Sequence, residues 1–221
     1  MTLSEENYLK TIFHLSAGNI KEVTTNAIAE AMNTKASSVT DMLKKLSEKD
    51  LVRYKRYQGT LLSECGRLTA VKIIRKHRLW EVFLVEKLDF SWEEVHDIAE
   101  ELEHVKSDKL VDKLDAFLGY PSTDPHGDPI PSRDGVLQLH NNPLLSDLVA
   151  GDKAMCIGVK DTSVEFLRHL NKLSLGLGNE ILVIDKERFD QSMTIAVDGN
   201  NITISALVSR NIYIEKINKK R

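Results

Sequence analysis

Over the first half of the chain, apolar residues recur with a helical period. Leu9, Ile12 and Phe13 mark one face of an opening helix that breaks at Ala17-Gly18-Asn19. A second helix is predicted from Thr25, a residue type that caps helices by accepting from their first free amides, with Ile28, Ala29 and Met32 turned inward. After Asn33-Thr34, residues Val39, Met42, Leu43 and Leu46 form the i, i+3, i+4, i+7 series of a third helix; its other face offers Ser37, Ser38, Thr40, Asp41 and Lys44. The period then falls towards two, and LVRYKRYQGTLLS predicts two short strands around Tyr57-Gln58-Gly59.

Two helical segments and a β-rich one complete the pattern. A long helix is predicted over Glu64 to Leu88, containing RKHRLWEVFL, and Ser91-Trp92-Glu93-Glu94 has the form of a capping box that starts the next helix. A further helix from about Asp108 should bury Leu110, Val111, Leu114 and Phe117 and stop at Gly119. YPSTDPHGDPIPS gathers four of the five prolines into one rigid loop. NNPLLSDLVA reads as a linker into a last unit, where AMCIGVK, NEILVID, MTIAVDG and NITIS are predicted strands, with a short helix over Thr162 to Leu173, a hairpin at Asp198-Gly199 and a frayed KINKKR tail. The predicted fold is mainly α with small β. A winged helix-turn-helix spans 1–74, a helical dimerisation domain 75–140, and a linker with an SH3-like β-barrel 141–221. The middle segment has too small a core to stand alone, so it should pair with a copy of itself.

Helix, short helix, turn, polar-faced helix and basic hairpin is an arrangement that reads double-stranded DNA. The third helix would enter a major groove through Lys35, Ser37, Ser38, Thr40 and Lys44, while Arg53, Lys55 and Arg56 touch phosphates. Small hydroxyl residues at the start of that helix favour DNA, because bulky ones would hold it away from the bases. The alternative is a helix pair and hairpin used for protein contacts.

Composition narrows the class. At 221 residues the chain should form two or three units. No apolar run approaches the roughly 18 residues of a membrane span, and MTLSEENYLK has neither the basic nor the apolar region of a secretory signal; a cytoplasmic protein is expected. Cys65 and Cys156 stand outside any CxxC pattern, so reduced thiols are expected, with Cys65 a buried small residue. Net charge is −3, but from Thr34 to Arg56 seven Lys or Arg face three acids, whereas from Glu81 to Asp115 four face twelve. The first region suits phosphate and the second suits cations.

HDIAEELEH makes the second preference specific. At about 100° per residue, His96, Glu100, Glu103 and His104 share one face of roughly 100°. His77 and Glu81 stand i, i+4 on the preceding helix, and a short connection could bring that pair against the other four. So many carboxylates together without a cation would repel and be driven towards protonation. Glu101-x-x-His104 matches half of a di-iron carboxylate signature, but an enzyme of that class needs two such motifs and two further glutamates on a four-helix bundle. Gly-rich phosphate loops, G-x-S-x-G and H-E-x-x-H are missing too.

ENYLKTI, SSVTDMLKKL, RKHRLWEVFL, VHDIAEELEHV and DPHGDPIP, in this order and spacing, resemble the metal-dependent regulators of the diphtheria toxin repressor and manganese transport regulator type. The resemblance spans essentially the whole chain, with the last unit similar to that family's SH3-like, iron-transport-A-like domain. It implies a repressor of metal-uptake genes that binds a palindromic operator as a homodimer, with Mn(II), or alternatively Fe(II), as corepressor and Zn(II), Co(II) or Ni(II) as surrogates. It also implies an ancillary metal site containing His77, Glu81 and His96, and a primary site containing Glu100, Glu103 and His104. Asn7 falls where members carry methionine or aspartate, and Lys10 where some manganese regulators carry glutamate. Asp161 and Glu165 are the nearest matches to ligands from the last domain, and Arg78 and Asp128 match supporting positions. A winged-helix regulator sensing a non-metal ligand is the competing reading. His14 and His169 are expected to be ordinary histidines, and Trp80 and Trp92 to serve packing, while His126 owes any interest to its place beside Gly127-Asp128.

Overall fold

The computed structural model describes residues 1–55, 59–138 and 142–217. Two compact units emerge, the first from Met1–Trp80, Glu100–Lys113 and Ile130–Leu137, the second from Glu81–Ala99, Leu114–Pro129 and the chain from Gln138 onward.

In the first unit, α1 (Leu3–Leu15) opens with a capping box in which Thr2 accepts from the Glu5 amide and Glu5 reaches back to Thr2. It ends where Ala17, Gly18 and Asn19 take positive φ. The second helix, α2 (Thr25–Ala31), is capped by Thr24, one residue before the predicted cap. In α3 (Ala36–Glu48), Val39, Leu43 and Leu46 are fully buried while Ser37, Ser38 and Lys44 face outward. Strands β1 (Val52–Lys55) and β2 (Gly59–Leu62) pair antiparallel from Val52↔Leu62 to Lys55↔Gly59. These elements close one core around Leu9, Ile12, Ile28, Leu43, Leu62 and Val71.

The long helix α4 (Glu64–Leu88) follows. Ser63 caps it, accepting from Gly66 N at 3.0 Å while its hydroxyl donates to Asp50 O at 2.6 Å. Gly66 allows that seating, since a Cβ there would lie 1.9 Å from Leu51 O. Cys65 is exposed, contrary to the burial expected of it: on the first turn of α4 it is Gly66, beside it, that faces the core.

Two shorter helices differ from their predicted outlines. The helix α5 (Val95–Leu102) stops before Glu103, because Val105 N turns back to Leu102 O at 3.2 Å; Glu103 and His104 therefore do not continue the helical face of His96 and Glu100. In α6 (Asp108–Phe117), Val111 and Leu114 are buried, but Leu110 and Phe117 are 44% and 66% exposed. Their predicted burial does not occur within one chain.

In the second unit β3 (Lys153–Val159), β4 (Glu180–Lys186), β5 (Met193–Val197), β6 (Asn200–Ile204) and β7 (Ile212–Lys216) form an antiparallel sheet in the order β6-β5-β4-β3-β7. The sequence reading missed β7. No pairing joins β6 to β7 among the described residues, so the sheet is open and the predicted closed barrel is not formed. The chain leaves β6 through the short α8 (Ala206–Ser209) and re-enters on the far side of β3. Asp198 and Gly199 both take positive φ in the β5–β6 turn, as that hairpin requires. A helix, α7 (Val164–Lys172), covers the sheet with Phe166, Leu167 and Leu170. The supposed linker contributes the fully buried Leu145 and Leu148 to this core. Cys156 is buried there, its thiol pushed up to about 11 by desolvation, so it is inert at neutral pH.

Candidate metal centre and nucleic-acid interface

In the first unit, α1, α4 and the turn after α5 bring charged groups together at a buried point. Glu6, Leu9 and Phe13 stand i, i+3, i+7, so α1 carries a carboxylate on its apolar stripe; Glu6 is 7% exposed and its Oε2 lies 2.6 Å from His104 Nδ1. One turn on, Lys10 Nζ donates to both Glu103 oxygens at 2.8 Å and also to Glu100. Glu103 is completely buried, and its Oε2 is 2.8 Å from His77 Nδ1; His77 Nδ1 also lies 3.9 Å from Glu100. Burial pushes the Glu103 carboxyl up, but the His77 hydrogen bond and Lys10 together more than offset this and hold it below the ordinary value.

Ligand atoms of His77, Glu100 and Glu103 lie within 4.8 Å of one another, close to the separations around one cation at roughly 2.1 Å from each ligand. Between Glu6 and Lys10 on α1, Asn7 Oδ1 is buried without a hydrogen-bond partner. An orphaned amide oxygen costs about 1–3 kcal/mol, and a cation here would satisfy it. The donor set of carboxylates, imidazoles and one amide oxygen thus fits a first-row divalent ion.

The second unit holds Glu81 and His96, with His96 Nδ1 3.6 Å from Glu81 Oε1. Glu81 is 2% exposed and also meets His126 Nδ1 at 3.6 Å. Burial pushes the His126 imidazole down, but Glu81, Asp124 and the Trp92 carbonyl outweigh it and raise its pKa. Asp161 accepts from Ser163 N at 2.9 Å, and Glu165 is exposed on the first turn of α7. Neither joins a converging group of ligand atoms among the described residues. Trp92 packs on the sheet core and donates its indole N–H to Asn171 at 2.9 Å; His14 and His169 are exposed.

Sequence reasoning gave no role to Glu6 or Asp124. Glu6 had a signal, a charge on the Leu9/Phe13 stripe. Asp124 and His126 are brought to Glu81 by the path of the proline loop, which no periodicity encodes.

On and just before α3, Lys35, Ser37, Ser38 and Lys44 are exposed. Thr40 is half-buried, its hydroxyl donating back to Ala36 O at 2.9 Å. Lys44 faces Asp41 at 3.3 Å in an exposed pair, too weakly held to keep it from a stronger anion. Arg53 and Lys55 extend from exposed positions of β1; Arg56 lies outside the described residues. No helix of the described residues is long and apolar enough to cross a membrane.

Comparison with known proteins finds matches to three parts of the chain. Residues 1–60 match the N-terminal DNA binding domain of iron dependent repressors, residues 63–132 their metal binding and dimerisation domain, and residues 144–216 the FeoA domain. The iron-dependent repressor IdeR of Mycobacterium tuberculosis (strain ATCC 25618 / H37Rv) is 34% identical over 138 residues, 62% of this chain and 58% of that protein, so the match spans little more than half of that relative. An HTH-type transcriptional regulator of Methanocaldococcus jannaschii is 36% identical over 118 residues, 53% of this chain and 94% of its own. Among solved structures, a manganese-dependent transcriptional repressor in complex with manganese superposes with a TM-score of 0.84 at 32% identity, covering 96% of this chain and all of that one. The manganese regulator SloR gives 0.76 at 35% identity, over 98% of this chain and all of that one. The chain belongs to the family of metal-dependent transcriptional repressors that includes the diphtheria toxin repressor, IdeR and the manganese regulators.

Proposed function

We propose that this protein is a metal-responsive DNA-binding repressor, with Mn(II) as corepressor and Fe(II) as the alternative. It would act as a homodimer on a palindromic operator of metal-uptake genes, in the cytoplasm. The observation that carries this reading is that one unit contains both the exposed polar face of α3 and the buried Glu100/Glu103/His77 group, bridged by α1 through Glu6 and Lys10. Functionally we read 1–74 as a winged helix-turn-helix, 75–140 as the dimerisation and metal-binding segment, and 141–221 as an SH3-like accessory domain. Leu110 and Phe117, exposed on α6, are the apolar surface a second copy would cover.

Glu100, Glu103, His77 and His104 would hold the ion, with Asn7 as a neutral ligand from α1. A bound divalent cation supplies a fixed charge on which carboxylates and imidazoles from different elements can close. Those residues then fix α1 against the turn after α5, and the α2–α3 pair, sharing the α1 core, is held at one orientation in each protomer. Two recognition helices can so meet half-sites about 34 Å apart; without the ion, protomers sample other separations and lose affinity. Glu81 and His96 would belong to the ancillary site that the resemblance implies together with His77. Selecting a palindromic duplex from random DNA at micromolar Mn(II), then titrating Mn(II) against its fluorescence anisotropy, tests the reading; duplex binding indifferent to metal would sink it.

Arg53→Ala should weaken binding to specific and random duplexes alike and lower the salt slope by about one unit, whereas Ser37→Ala should change base preference. Equal losses on both duplexes for Ser37→Ala would show that α3 does not read bases. Glu100 governs metal choice. Carboxylate and imidazole ligands suit Mn(II), which does not win on raw affinity, so Glu100→Cys should shift the order of activating metals towards Fe(II), Co(II) or Ni(II), read as duplex affinity against free metal. An unchanged order would remove Glu100 from the ligand set.

A further inference from the structure

Two adjacent glutamates on the first turn of α1 reach in different directions. Glu5 and Glu6 are 5% and 7% exposed and stand about 100° apart around the helix. Glu6 Oε2 meets the imidazole of His104 at 2.6 Å. Glu5 turns instead to the polar-faced helix α3: its Oε1 accepts from Lys49 Nζ at 2.6 Å, and its Oε2 accepts from the Thr2 amide at 3.0 Å. Each oxygen of this carboxylate thus has its own donor, one at the start of α1 and one at the end of α3.

Lys49 is the C-cap of α3, and that helix end is a fixed point. Asp50 takes a φ of +54°, Leu51 N returns to Leu46 O at 2.9 Å, and Asp50 O accepts from the Ser63 hydroxyl at 2.6 Å. The lysine side chain is 51% exposed, but that of its partner is only 7% exposed. The short, charge-assisted bond is therefore shielded on the Glu5 side, unlike an ion pair with both members in water. Helix α1 packs chiefly on α2 and β2, while α3 packs on α2 and β1; the Glu5–Lys49 bond spans α1 and α3 directly.

We propose that Glu5 and Lys49 are positioning residues that carry the metal-dependent setting of α1 to the C-terminal end of the recognition helix α3. This link presupposes the metal-responsive repressor of the proposed function and goes beyond the shared apolar core invoked there. A helix moves as a unit, so when the site beside Glu6 and Lys10 fills, Glu5 shifts with its neighbour and draws Lys49 along. Apolar packing holds two helices together without direction; a carboxylate with both oxygens assigned fixes distance and angle as well. Neither residue joins the His77, Glu100 and Glu103 group, so changing them leaves those ligands in place.

The test uses the full chain and the palindromic duplex selected at micromolar Mn(II). The quantity read is the factor by which saturating Mn(II) raises duplex affinity, from fluorescence anisotropy with and without the ion. Isothermal titration gives the Mn(II) affinity of the DNA-free protein. Glu5→Gln keeps the capping box of α1, which glutamine also forms, but offers one oxygen to two donors and loses the charge facing Lys49. Lys49→Met removes the cation from a half-exposed position, and its general loss of attraction for phosphate cancels in the factor. Each change should cut the factor at least about fivefold, the lower end of ordinary coupling between sites, while Mn(II) affinity without DNA stays within about twofold of wild type. A purely structural role would weaken duplex binding equally with and without Mn(II) and leave the factor intact. The double variant should lose no more than the larger single loss, because both changes remove one contact. An intact factor in either single variant, losses that multiply in the double, or an equal fall in Mn(II) affinity without DNA overturns the link and leaves the repressor reading standing. A wild type whose duplex binding ignores Mn(II) overturns both.

Discussion

Glu103→Ala is expected to abolish metal-dependent DNA binding and also to cost stability on the scale of a broken buried ion pair, about 3–5 kcal/mol. Both effects have one cause. The Glu103 carboxylate is fully buried and accepts from Lys10 Nζ on both oxygens at 2.8 Å and from His77 at 2.8 Å. Without it Lys10, whose side chain is 13% exposed, keeps Glu100, whose own side chain is 32% exposed and shares its charge with water. Removing Lys10 as well should recover most of the loss: Lys10→Met in the Glu103→Ala background leaves an apolar pair where an ammonium had lost its counter-charge. The measurement is urea unfolding of the wild type, both single variants and the double variant, treated as a cycle. A coupling of 2 kcal/mol or more is expected, on the scale of interactions between residues in direct contact. Metal-dependent binding should be lost in both Glu103→Ala proteins. Additive stabilities would mean that the ion pair is not formed in solution, and a surviving metal response would take Glu103 out of the primary site.

The helices were legible in the sequence because their burial is periodic. Val39, Leu43 and Leu46 announce α3 and are fully buried, and His77, Glu81, His96, Glu100, Glu103 and His104 stood out as an excess of carboxylate and imidazole at helical spacing. The failures have local causes. HDIAEELEH keeps helical spacing to His104, yet the helix ends at Leu102, because Glu103 and His104 satisfy charges on α1 and α4 that lie far away in sequence. Leu110 and Phe117 obey the helical period and remain exposed; a pattern shows that a face is apolar, not which chain covers it. The strand β7 was readable, since Ile212 and Ile214 alternate inward with Tyr213 and Glu215 between them, but the segment before the KINKKR tail was left without an element. Asp124 and His126 were not readable as partners of Glu81, since a loop held by Gly127 against Ile157 carries no period.

The threshold at which metal acts should be set by Lys10. Its ammonium already touches three carboxylate oxygens, one from Glu100 and two from Glu103, which is the work a cation in the site would do. A divalent ion about 4 Å from that ammonium would be repelled by roughly 8 kcal/mol at an effective dielectric of 20, so the two charges exclude each other and Lys10 must swing out before Glu100, Glu103 and His77 can close on metal. Lys10→Gln removes the competitor while keeping length and polarity. It should lower the free Mn(II) giving half-saturation at least tenfold, a gain of about 1.4 kcal/mol. Without metal the same variant should be less stable than the wild type, because Glu103 loses two charge-assisted bonds inside the fold. Added Mn(II) should restore that stability by mass action. Isothermal titration gives the first quantity, and thermal unfolding with and without Mn(II) gives the second. An unchanged Mn(II) midpoint would show that Lys10 leaves the site at no cost, and the structure's three-oxygen contact would then have no part in setting the metal response.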